Sequence, residues 1–166
     1  MRPLRDLRVL EFSHHLAGPA VGMILADLGA EVIKVARPGL QPSSLDAVLD
    51  RGKRVVTLDL KAEKDRARAR TLARGADVVI ENFRPGVMKR LGFDYAAISA
   101  RNPRIVYCSI SAFGQQGEQR AGLWPVLALN GGDRTLEQLL RQGIGIHRHA
   151  DLDRRPKLQR RLRGRA

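Results

Sequence analysis

A chain of 166 residues with 43% hydrophobic side chains suits one domain with a modest core, although 4% aromatics leave few large anchors. No apolar run approaches the roughly 18 to 20 residues of a membrane span, the start MRPLRDLR lacks a secretory apolar core, and the single Cys108 excludes an intrachain disulfide framework, so a cytoplasmic protein in a reducing compartment is expected. The net charge of +13 raises nucleic-acid binding, but residues 119–166 hold 11 Lys and Arg against 4 Asp and Glu. No zinc spacing, RNP-type aromatic pair or heptad accompanies that excess, which speaks against specific nucleic-acid recognition.

In chain order, Arg8 to Phe12 predicts a strand, apolar after Arg8 except for Glu11. Gly18 permits close backbone approach and Pro19 supplies a pre-set first helical position. The helix predicted over Pro19 to Leu28 carries one charge, Asp27, so it reads as buried between layers. Gly29 is the expected left-handed stop, and EVIKV, Glu31 to Val35, is the second strand. Arg37-Pro38-Gly39 leaves a guanidinium at that strand's carboxyl end, where open parallel sheets meet their ligands. An irregular stretch from Arg37 to Arg51 follows.

The reading continues with strand Val55 to Leu58, helix Ala62 to Arg74, strand Asp77 to Ile80, short helices within Gly86 to Leu91 and Tyr95 to Ala100, and strand Arg104 to Ser109. Alternating strands and helices without a phosphate-loop glycine motif predict an α/β fold, a Rossmann-like parallel sheet with helices on both faces. Cys108 lies inside an apolar strand and reads as a small core residue. His14 and His15 are adjacent imidazoles, but no Cys, Asp or Glu lies at ligand spacing, so no metal site is expected.

DLGAEVIKV, ENFRPGVM and SISAFGQ recur at intervals that identify a resemblance. Over residues 4–118 the chain resembles the N-terminal part of the family III CoA-transferases, the group of formyl-CoA and carnitine CoA-transferases and α-methylacyl-CoA racemases. The resemblance implies transfer of CoA from an acyl-CoA to a carboxylic acid through covalent intermediates on one Asp, with acyl-CoA as substrate and no tightly bound cofactor. It also implies an interlocked homodimer for the full-length family.

By position the resemblance places His15, Leu16 and Ala17 along the CoA, and Arg37 at its adenosine and phosphate end. Leu58 to Lys61 would line the adenine pocket, with Leu58 and Lys61 as named contacts. Asn82, Phe83 and Arg84 would lie against the pantetheine, and Arg90 would be a second phosphate-binding arginine. Guanidinium geometry suits phosphate, and a carboxamide can donate to and accept from a pantetheine amide. Gly114 and Gly117 read as backbone glycines of a loop near the active site.

Past residue 118 the pattern departs from the family. No Gly-Tyr segment or nucleophile context follows FGQQG, and Asp133, Asp151 and Asp153 match neither, so no catalytic residue is assigned. Where racemases carry a His-Asp pair this chain has Leu123 and Trp124. Codons for Ala121 to Pro125 can be chosen so that a one-base shift spells Pro-Gly-Tyr-Gly-Pro. The expectation is therefore a CoA-binding part over residues 1–118 and an atypical basic tail over 119–166, frame-shifted or disordered, in an incomplete fragment of a CoA-transferase. A racemase-like fragment and a noncatalytic CoA-binding or interaction protein are the rival readings.

Overall fold

The computed structural model describes residues 2–111. The tail expected over 119–166, Gly114, Gly117, Asp133, Asp151 and Asp153 lie outside the described residues. Within them the chain alternates β1 (Arg8–Phe12), α1 (Ala17–Asp27), β2 (Glu31–Ala36), α2 (Ser44–Leu49), β3 (Lys53–Thr57), α3 (Glu63–Gly75), β4 (Val78–Glu81), α4 (Val87–Leu91), α5 (Tyr95–Ser99) and β5 (Val106–Ser109). The five strands form one sheet in the order β3-β2-β1-β4-β5, and every pair is parallel. This is the predicted α/β class.

Strand alternation divides the interior into two cores. Leu10, Phe12, Val35 and Val79 pack with Ala69 and Ala73 of α3, Met88 of α4 and Ile98 of α5. Val9, Val32 and Ile80 point to the opposite face, where Val21, Leu25 and Ala26 of α1 cover them. Helices therefore lie on both faces, as the alternating pattern implies. Gly29 takes the left-handed conformation expected of a helix stop, with φ 98°.

Two features differ from the sequence reading. Helix α1 has more buried residues than any other helix described, Gly18, Pro19 and Gly22, but it is not enclosed between layers: Ile24 is 53% exposed and Leu28, just past its end, 41%. An apolar circumference predicts two covering layers, and the described residues supply the sheet on one side with only the short α2 beside it. The stretch Arg37 to Arg51 is not wholly irregular, because it contains α2. Ser43 starts that helix with a capping box: its hydroxyl accepts from the Asp46 N–H, and the Asp46 carboxylate accepts from the Ser43 N–H at 2.9 Å.

Candidate functional site

A parallel sheet puts every strand's carboxyl end on one edge. Reversal of the strand order at β1 opens a crevice there between the loops that follow β1 and β4. The loop after β1 runs Ser13, His14, His15, Leu16 into α1, and the loop after β4 begins with Asn82 and Phe83. Arg37 stands one strand to the side, exposed, just beyond the end of β2.

Asn82 joins the two loops. The His14 N–H donates to Asn82 Oδ1 at 3.0 Å, and Asn82 Nδ2 donates to the His14 carbonyl at 2.7 Å. The His14 ring meets Phe83 edge-on at 4.8 Å between centroids and His15 at 4.7 Å. Burial holds the His14 imidazole below its ordinary range, helped by the charges of His15, Arg37 and Lys34. His15 is exposed and carries φ 66°, a left-handed conformation uncommon for a residue with a side chain. Leu16 and Ala17 are also exposed at the start of α1, where no side chain caps the helix.

Of the remaining predicted residues, Leu58, Lys61, Phe83 and Arg84 follow β3 or β4 at that edge, with different degrees of access. Leu58 is 2% exposed and packed in the core with Phe12 and Val35, so only its backbone could face a ligand. Lys61 is exposed in the turn between β3 and α3, its N–H donating to Asp59 Oδ1 at 2.9 Å. Phe83 is half-buried against the core and against His14. Arg84 and Arg90 are exposed, the first in the loop after β4 and the second on α4. The carboxamide of Asn82 is directed at the His14 backbone, a partner that spacing in the sequence did not disclose.

Beneath α1 lies a charged cluster that the sequence reading missed. Lys53 Nζ donates to Glu11 Oε2 and to the Pro19 carbonyl, each at 2.8 Å, and the Ser13 hydroxyl donates to Glu11 Oε1 at 2.6 Å. Lys34 Nζ donates to both Asp50 oxygens, at 2.7 and 2.9 Å. The signal was present as Glu11 and Lys34, charges inside strands otherwise read as core. On the opposite face Glu81 is also buried; it accepts from the Phe83 N–H at 2.9 Å and from the Ser109 hydroxyl. Burial pushes the Glu81 carboxyl up, against the effect of those two hydrogen bonds.

Among the described residues no group of three or more His, Cys, Asp or Glu could hold a metal ion, and no helix is long and apolar enough to cross a membrane. What the edge offers is the exposed guanidiniums of Arg37 and Arg84, a left-handed loop at an uncapped helix start, and an aromatic beside it. Fold and crevice together define a doubly wound, nucleotide-type α/β domain.

Comparison with known proteins narrows this class. The chain belongs to CoA-transferase family III, whose family model matches residues 4–125. It is 39% identical over 150 residues to the "Probable fatty acyl-CoA transferase Rv3272" of Mycobacterium tuberculosis, covering 81% of this chain and 38% of that protein. It is 43% identical over 127 residues to the "Acetyl-CoA:oxalate CoA-transferase" of Acetobacter aceti, covering 69% and 33%. The orthorhombic crystal structure of Rv3272 superposes with a TM-score of 0.74 at 41% identity, covering 80% of this chain and 39% of that one. A CAIB/BAIF family protein from Brucella suis gives 0.69 at 40% identity, covering 78% and 39%. The chain thus spans little more than a third of the length of these relatives.

Proposed function

We propose that the crevice between the β1 and β4 loops binds the CoA portion of an acyl-CoA, and that this chain is the CoA-holding part of a transferase that passes CoA to a carboxylic acid. The observation that carries the reading is topological. His15, Arg37, Lys61, Asn82 and Phe83, predicted separately along the chain, follow four strands whose carboxyl ends share one edge on either side of the order reversal. Similarity to CoA-transferases at about 40% identity supports the choice of ligand.

In this reading Arg37 pairs with phosphate oxygens at the nucleotide end, where a guanidinium makes two parallel hydrogen bonds. The N–H groups of Ala17 and Gly18 at the uncapped start of α1 offer further donors to an anion. Phe83 supplies an apolar wall for the pantetheine. CoA is a substrate and not a resident cofactor. The transfer step itself belongs to residues beyond those described. The complete family member would be an interlocked homodimer, and exposed Ile24, Leu28, Leu45 and Val48 are apolar surface that such an assembly would cover.

Calorimetry with CoA tests the reading. Arg37→Ala is expected to weaken binding roughly tenfold to a hundredfold, the usual worth of a charge-assisted hydrogen bond. Arg104→Ala, in the turn before β5 at the opposite edge of the sheet, is expected to leave the affinity unchanged. Equal affinity for wild type and Arg37→Ala would remove Arg37 from the site.

A further inference from the structure

Backbone pairing between β1 and β4 ends at Phe12 opposite Glu81. Beyond that rung the chains diverge, and the next main-chain groups on the β1 side would have no strand partner. One side chain supplies it. Asn82 accepts from the His14 N–H at 3.0 Å and donates to the His14 carbonyl at 2.7 Å, so the carboxamide acts as a peptide group set across the crevice, satisfying both polar groups of a residue 68 positions away.

The surroundings are shaped to that bridge. A Cβ on Gly18 would fall 2.4 Å from Ser13 Cβ and 3.2 Å from Asn82 Cγ, so glycine is what lets α1 approach the carboxamide. The residues flanking Asn82 are held as well, because Glu81 Oε2 accepts the Phe83 N–H and the Ser109 hydroxyl binds the other carboxylate oxygen. Directly after the pinned residue comes His15, the one non-glycine with positive φ among the described residues, and two residues later α1 begins.

We propose that Asn82 is the positioning residue of this crevice: by pinning both main-chain groups of His14 it holds His15 in its left-handed turn and sets the direction of the α1 N-terminus. Its amide therefore serves the loop and not the pantetheine. Backbone strain at a binding loop persists only where the surroundings over-determine it, and a two-point clamp on the preceding residue does so. The binding consequences rest on the CoA reading given above; the clamp itself does not.

The test uses the full chain, with Asn82→Ala and Asn82→Asp, and two readouts. Amide hydrogen exchange at His14 reports the clamp without any ligand. Asn82→Ala is expected to speed exchange at His14 at least about tenfold more than at the central-strand amide of Val79, with Asn82→Asp, which keeps the acceptor, in between. Affinities for CoA and for adenosine 3′,5′-bisphosphate, which lacks pantetheine, report positioning: both should weaken by the same factor, roughly tenfold. Unchanged relative exchange at His14 would overturn the proposal. So would a loss confined to CoA, which is the mark of a direct pantetheine contact. A wild-type chain that binds neither compound overturns the CoA reading, and exchange alone then decides the clamp. If Asn82→Ala does not fold, Asn82→Asp carries both readouts.

Discussion

Lys53 Nζ sits 2.8 Å from Glu11 Oε2 with both side chains fully closed off from solvent, and the same ammonium reaches the Pro19 carbonyl in the first turn of α1. The pair ties β1, β3 and α1 together beneath the loop that carries His14 and His15. Removing Lys53 leaves the Glu11 charge buried without the cation that pairs it, at a cost of about 3 to 5 kcal/mol. Lys53→Met is therefore expected to lower unfolding free energy by that amount in denaturant melts. Glu11→Gln with Lys53→Met should recover most of the loss. A double variant no more stable than Lys53→Met would show that the pair is not the unit that matters.

Gly22 owes its identity to the same carboxylate. A Cβ there would lie 1.9 Å from Glu11 Oε2 and 3.0 Å from Lys53 Nζ, and neither group can yield without breaking the pair. Gly22→Ala should cost at least about 2 kcal/mol despite the better helix propensity of alanine. Gly75→Ala is the matched control, since the nearest atom to its added Cβ is Arg8 Nη1 at 4.0 Å. It should be neutral or stabilising by up to about 1 kcal/mol. Equal effects at the two glycines would contradict this packing account.

His14 gives the stability a pH dependence of known sign. Burial, then the charges of His15, Arg37 and Lys34, lower its pKa from 6.5. The unfolded chain takes a proton near that value while the folded chain resists it. The contribution of His14 is therefore present above about pH 6.5 and is lost as the pH falls through that value toward the folded pKa. Melts at successive pH values should show this decline, and His14→Gln should flatten it. Glu81 acts in the other direction: its raised pKa gives stability that is present at low pH and lost as the pH rises through the folded value. An anion in the crevice would favour His14 in its charged form, so CoA binding should strengthen on mild acidification and take up protons.

The 166-residue polypeptide assayed alone is expected to bind CoA and turn over neither a transferase nor a racemase substrate. A covalent route needs a positioned nucleophile, and none of the described carboxylates is assigned that role. Transfer of CoA between two acids by this polypeptide, abolished by Asp133→Asn, Asp151→Asn or Asp153→Asn, would contradict that expectation.

Periodicity and punctuation made much of the fold legible. Strand β1 matches its expected span, Arg8 to Phe12, and the other predicted elements differ by a few residues at their ends. Helix α2 escaped because proline and serine punctuation masked the Ser43-x-x-Asp46 signature that starts it. For the site, the sequence indicated which residues follow strand ends, and parallel pairing then brought them to one edge. It did not disclose what each side chain touches. The carboxamide of Asn82 was legible as a group able to serve a ligand or the chain, and only the tertiary fold brings the His14 backbone within its reach. Glu11 looked like an interruption in an apolar strand because its cation, Lys53, lies two strands away.

Binding of CoA at the reversal of strand order is read most directly from a two-dimensional amide spectrum of the isotope-labelled chain titrated with CoA. Saturable shifts at His14, His15, Arg37, Asn82 and Phe83, with Arg74 and Arg101 near the opposite edge unmoved, are the predicted result. Shifts confined to that opposite edge, or none at millimolar CoA, would contradict it.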